Sequence, residues 1–198
     1  MEDIIGKKTF TNFKWLNEPK EWSVENDVLT LKTNNKTDFW RGTWYNFFFN
    51  TGHVYGIEVC EDFTLEVCVE AEFKELYDQA GLMLYADERT WLKAGMEYND
   101  GQPMIGSVYT QGVSDWATGT FNGDPRKFWL RLSKVKKVVC VKYSADNKVW
   151  NLLRLCEFPL QSKYFVGPMS CTPKREGLIV RFSDMIFTEP NKDILHSN

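Results

Sequence analysis

The sequence has little histidine, no surplus of positive charge and no long apolar run, and each shortage removes a class of function. Two histidines, His53 and His196, are too few for a typical zinc site without cysteine ligands. The five cysteines (Cys60, Cys68, Cys140, Cys156, Cys171) show no metal-type spacing. A serine or cysteine nucleophile would have to lean on His53, which no local signature surrounds. Neither Gly-x-Gly-x-x-Gly nor Gly-x4-Gly-Lys occurs, so no phosphate-cradling loop and no nucleotide cofactor is expected. With 24 basic against 27 acidic residues and a net charge of −3, a nucleic-acid partner is disfavoured. The densest basic stretch, Lys134–Lys137, reads as a solvated turn or strand end. No stretch approaches the roughly 18 apolar residues of a membrane span. Met1–Lys8 lacks the basic start and apolar run of a signal peptide, so a cytoplasmic protein with reduced thiols is expected. Asn99-Asp100 and Asp146-Asn147 offer oxygens but not the spacing of a calcium loop, and no metal is expected.

What is present is core. Hydrophobic residues make up 43% of the chain, enough to exclude disorder, and eight are tryptophan. Turn signals recur at short intervals: Asn34-Asn35, Asn50–Gly52, Asn99–Gly101, Asn122–Pro125, Ala145–Asn147 and Arg175–Gly177. Between them lie short runs rich in Val, Phe, Tyr, Trp and Thr. This rhythm predicts an all-β, two-sheet sandwich in one domain over 1–198, with short polar tails. Phe73–Asp78 is the best helical candidate and fits a turn equally well.

Alternation assigns faces. Phe63, Leu65, Val67 and Val69 form one apolar set in the strand over 62–70. The sets Ala80, Leu82, Leu84 and Leu92, Ala94, Met96 do the same in the next strands, as do Phe128, Leu130, Leu132 further on. The opposite faces carry Gln79, Tyr85, Trp91, Lys93, Glu97, Trp129 and Arg131. Large aromatics mixed with charges and an amide suggest a wet, concave recognition face. The competing reading is a ladder of Lys93, Glu97 and Arg131 under a loop.

The stretches Tyr77-Asp-Gln-Ala-Gly-Leu-Met-Leu84 and Trp91-Leu-Lys-Ala-Gly-Met-Glu97, with Thr37-Asp-Phe-Trp-Arg41, Ser114-Asp-Trp116 and Trp129-Leu-Arg131, resemble a family of small intracellular proteins of unknown function with the concanavalin A-like lectin/glucanase fold. The likeness spans residues 12 to 188. It implies a jelly-roll sandwich and, as shared positions, Trp40, Gln79, Trp91, Lys93, Glu97, Trp116 and Arg131. It also implies a cytoplasmic, regulatory role connected with a glycolytic enzyme, which the residues themselves do not display.

Three functions are weighed. A non-catalytic binder of a carbohydrate or small polar ligand would stack Trp40, Trp91 and Trp129 on a sugar. It would read hydroxyls with Gln79, Lys93, Glu97 and Arg131, and close a rim with Tyr45, His53, Asp115 and Trp116. A regulatory protein would engage a protein partner, for which Trp44–Phe49 is either an exposed aromatic patch or a strand packed on the sandwich. A small glycoside hydrolase acting on a glucan or oligosaccharide is the alternative. It needs two carboxylates across the scissile bond, yet the strand over 91–98 offers only Glu97. Lys93, if paired with Glu97, would hold it ionised, which is wrong for a general acid. The favoured expectation is a non-catalytic protein.

Overall fold

The computed structural model describes residues 4–196. Strands run β1 (Lys14–Leu16), β2 (Glu21–Glu25), β3 (Val28–Lys32), β4 (Phe39–Arg41), β5 (Phe48–Asn50), β6 (His53–Val59), β7 (Phe63–Ala71) and β8 (Gln79–Asp87). They continue as β9 (Thr90–Asn99), β10 (Gln102–Gln111), β11 (Val113–Gly119), β12 (Lys127–Val135), β13 (Val138–Ser144), β14 (Asn151–Glu157), β15 (Tyr164–Cys171) and β16 (Ile179–Thr188). Phe73–Asp78 holds a turn, not a helix.

One seven-stranded antiparallel sheet has the order β1-β6-β15-β8-β9-β10-β11, and the other β14-β13-β12-β7-β16-β3-β2. The short pair β4-β5 stands apart. Period-two alternation sends Leu65, Val67, Leu82, Leu84, Leu92 and Leu130 into the main core between the sheets, where all are fully buried. At about 25 cal/mol per Å² of apolar surface removed from water, this layer is the principal driving force for folding.

A second apolar cluster lies on the other side of the first sheet. Val54, Met83, Trp91, Val108, Met169 and Cys171 pack there under Phe39 and Trp40 of β4. That sheet is therefore covered on part of both faces, and the β4–β5 hairpin is the cover. Trp91 is fully buried, its ring 5.9 Å from Phe39 in an edge contact. The sequence expects Trp91 to be exposed for stacking, and the hairpin overrides this.

The segment after β16 folds back. The Cys140 thiol of β13 donates to the Ile194 carbonyl at 3.4 Å, and Asp193 accepts the amides of Leu195 and His196 in a capped turn. His196 thus sits in a turn against the second sheet; Met1–Asp3 of the expected polar tails, and residues 197–198, lie outside the described residues.

Candidate functional site

The cleft forms where the second apolar cluster ends. β8 and β9 pair with Gln79 opposite Glu97, Gly81 opposite Gly95 and Met83 opposite Lys93. β10 sets Gly106 beside Gly95. This row of glycines brings the strands unusually close: a Cβ on Gly95 would stand 2.1 Å from the Ala80 carbonyl oxygen, and one on Gly81 1.9 Å from that of Ala94. Without side chains in that row, a recess of about 10 Å³, room for one water or hydroxyl, opens among Gln79, Lys93 and Glu97.

These floor residues are buried yet only partly satisfied. Lys93 is 3% exposed, and its ammonium, with three donors, has one hydrogen bond among the described residues, 3.4 Å to Asp38 Oδ1, and lies 5.8 Å over the Trp91 ring. Asp38 is held in turn by the Phe39 amide at 2.8 Å. Burial works against the Lys93 charge, but the carboxyl groups of Asp38 and Glu97 beside it favour it, and its pKa is raised. Burial likewise pushes the Cys171 thiol far up, which makes it an inert neutral donor; it points at Gln79 Oε1, 3.5 Å away. Glu97, 7% exposed, is pushed up to about 7, chiefly by burial, with Asp38 adding repulsion and Lys93 opposing. Lys93 pairs with Asp38 and not with Glu97, so the condition under which it would hold Glu97 ionised is not met, and loss of hydration outweighs the nearby cation. The Trp116 indole N–H favours the Glu97 anion. That buried N–H completes no hydrogen bond within the fold.

Above this floor the cleft encloses about 530 Å³. Trp40 and Trp116 form one wall, ring centres 6.3 Å apart at 89°, and the Trp40 indole is fixed by donation to the Thr43 carbonyl at 3.0 Å. Tyr45, Phe47 and Phe49 of the hairpin line it as well, Tyr45 edge-on to Trp40 with ring centres 6.1 Å apart. Tyr45 and Tyr77 hydroxyls join at 2.9 Å and tie the hairpin to the β7–β8 turn. That turn is positioned by Asp78, which is fully buried, accepts the Lys74 and Glu75 amides, and pairs with Arg175 at 2.9 Å. Lys36 and Lys174 stand at the mouth.

The structure therefore brings Trp40, Gln79, Lys93, Glu97 and Trp116 to one cleft, with Trp91 beneath it. It does not bring Trp129 and Arg131 there. β12 belongs to the second sheet, so their side of the strand faces away on the opposite side of the sandwich. Arg131 donates to Glu66 at 2.8 Å and stacks 4.0 Å over Trp150. The expected ladder of Lys93, Glu97 and Arg131 does not form. Among the rim candidates, Tyr45 and Trp116 line the cleft, whereas Asp115 pairs with Arg154 at 2.7 Å. His53 is a buried structural bridge: its Nδ1 faces the Asn17 carbonyl and its Nε2 accepts the Asn34 amide, and burial lowers its pKa. Asp38, Tyr77, Lys36 and Lys174 escaped the sequence reading. Asp38 was within reach of it, since it sits two residues before Trp40 and alternation places both on one side.

Comparison with known proteins agrees with this architecture. Residues 15–190 match a family described as "Protein of unknown function (DUF1349)". "Regulation of enolase protein 1" of Saccharomyces cerevisiae is 47% identical over 92% of this chain and 92% of its own. The crystal structure of a functionally unknown protein from Saccharomyces cerevisiae superposes with a TM-score of 0.90 at 46% identity, covering 92% of this chain and 99% of that one. The carbohydrate binding module CBM66 from Bacillus subtilis superposes at 0.56 with 10% identity, over 94% of this chain and all of that one. GH43 chains also match, for example at 16% identity over 38% of their own length. At such identities the last two likenesses show the fold alone: the all-β lectin-like sandwich expected from the sequence. No helix among the described residues is long and apolar enough to cross a membrane.

Proposed function

The chain belongs to the DUF1349 family, and on that premise we propose that it is a non-catalytic binding protein whose cleft takes a carbohydrate or a similar small polyhydroxylated ligand. Its role in this proposal is regulatory, a reading supported by the name of the yeast relative, and cytoplasmic, as expected from the sequence. One observation carries the binding reading. The buried Lys93 ammonium, with one acceptor at 3.4 Å, and the buried Trp116 indole N–H, with no partner among the described residues, lie beside Glu97 in a cleft walled by aromatic rings. A saccharide matches both halves: its C–H faces suit rings, and its hydroxyls give and take hydrogen bonds. Glu97 near its midpoint at neutral pH can accept from a hydroxyl as the anion or donate as the acid. Calorimetric titration with mono- and oligosaccharides tests this. We expect binding that Trp116→Ala or Glu97→Gln weakens about a hundredfold with the fold intact; undiminished affinity in both variants refutes the cleft as the site.

A protein partner is the second element of the proposal. Trp44 is 89% exposed and Phe48 57%, in a hairpin that presents its other rings to the cleft. This placement supports a contact surface whose shape responds to an occupied cleft.

A hydrolase is the alternative reading, favoured by one feature. Asp38 and Glu97 are two carboxylates at one cleft, and a carboxyl at about 7 suits a general acid. Asp38, however, is engaged by the Phe39 amide and by Lys93, which leaves it poorly placed to attack or to activate water. Release of reducing ends from oligosaccharides, abolished in Glu97→Gln, would establish hydrolysis in place of simple binding.

A further inference from the structure

Resting on the cleft reading above, we infer that the ligand is an acidic saccharide, bearing a phosphate or a carboxylate, whose anionic group is held by Lys36 and Lys174 while its hydroxyls meet Gln79, Lys93 and Glu97. The charge around the cleft runs against that of the whole chain. The protein carries −3, yet three lysines line the cleft against the carboxylates of Asp38 and Glu97. Asp38 is already spent on the Phe39 amide and Lys93. Lys36 and Lys174 form no ion pair among the described residues, although carboxylates outnumber cations in the sequence. A cleft with low-dielectric walls focuses such a local field on whatever enters it.

The two lysines are also presented by a braced support rather than by free loops. Lys36 has φ of +55°, a conformation costly for a residue with a Cβ. It is pinned there by its amide, which donates to the Arg175 carbonyl at 3.1 Å. The Thr172 amide donates to the Thr37 hydroxyl at 3.1 Å, and the Thr172 hydroxyl to the Asn34 carbonyl at 3.2 Å. Arg175, next to Lys174, is locked onto Asp78. The segments over 34–37 and 172–175 are thus laced together at the cleft mouth. Deeper in, Lys93 keeps donor capacity beyond its single long contact, which ligand oxygens would use. A neutral sugar would use the floor and the rings but offer the mouth lysines only hydroxyls and no charge to pair with.

The test is titration calorimetry on the full chain with matched sets of hexose, hexose 6-phosphate and hexuronate in the gluco, galacto and manno series, with inorganic phosphate as a further probe. The expected result is that a phosphorylated or carboxylated sugar binds at least tenfold tighter than its neutral parent, and that Lys36→Gln/Lys174→Gln removes this preference without lowering the melting temperature. Which acidic series binds identifies the anion. Equal affinity for neutral and acidic sugars, or a preference unchanged in the double variant, overturns the inference and leaves the cleft reading standing. Inorganic phosphate binding as tightly as any sugar phosphate overturns it too, because the saccharide then contributes nothing. If no sugar of either kind binds, the cleft reading falls, and the inference with it.

Discussion

β9 and β12 carry nearly the same writing, Trp91-Leu-Lys93 and Trp129-Leu-Arg131, and end in opposite conditions. On β12 the cation is paired, although its Nη1 is buried without a partner. Arg131 reaches Glu66 at 2.8 Å on the neighbouring strand and lies flat on Trp150. On β9 the cation is walled in beneath a hairpin with one acceptor at 3.4 Å, and the nearby carboxyl is pushed to about 7. Both faces leave buried donors without partners, Arg131 Nη1 and the Trp129 indole on one and the Trp91 and Trp116 indoles on the other, but only the second lies under a cleft that could supply them. The difference teaches that a pattern of rings and charges becomes a candidate site only where the fold leaves a cleft over it.

The comparison can be broken hardest at the glycine row. Gly95→Ala would place a methyl 2.1 Å from the Ala80 carbonyl, with backbone and no flexible side chain to give way. We expect a loss of about 3 kcal/mol or more, read by chemical denaturation. A nearly neutral result would mean that the strands are not so tightly drawn together under the cleft.

Glu97→Gln sharpens the comparison through pH. The carboxyl has a folded pKa of about 7 against an ordinary 4.5. The native state therefore holds this proton more tightly than the unfolded chain does. Its contribution is fully present below about pH 4.5 and is lost as pH rises toward 7, so the ionised side chain burdens the fold above that. Replacing it by the neutral amide is expected to stabilise the protein by about 2–3 kcal/mol at pH 8 and by nothing measurable near pH 4, while weakening ligand binding. Denaturation curves at the two pH values decide this; equal effects at both would show that Glu97 is hydrated and ordinary.

Arg131→Met is the matching change on β12. Its carboxylate partner Glu66 is partly exposed, so the expected cost is only about 1–2 kcal/mol, with saccharide affinity unchanged. Altered affinity would connect the two faces and undo the contrast drawn between them. The smallest effect is expected from Phe48→Ser in the hairpin, within about 0.5 kcal/mol in a soluble protein, since the ring is 57% exposed. Unfolding would identify that ring as core; intact folding with lost partner capture would support its role as a contact surface.

Much of this was legible in the sequence because strands write their faces with period two. Leu92, Ala94 and Met96 against Trp91, Lys93 and Glu97 separate correctly on alternation alone, and the main core follows. Several strands on the polar N-terminal third, and β10 and β11, carry weaker alternation and were found only in the structure. Asp38 was missed because it sits at the edge of a three-residue strand, and Tyr77 because it lies in a turn, where no period exists to mark it.

The sequence by itself determined that the chain makes two antiparallel sheets, and which side chains leave each strand on which side. Local alternation and turn chemistry act over a few residues, and no distant segment is needed to fix them. Tertiary structure alone decided which sheet each strand joins. That placed Trp129 and Arg131 on the far side of the sandwich, where alternation could not distinguish them from Gln79, Lys93 and Glu97. It also decided that β4 and β5 close over β9, burying Trp91 and stripping water from Lys93 and Glu97. Burial and the pKa that follows depend on what lies above a side chain, and for β9 that cover comes from residues some 50 positions earlier in the chain.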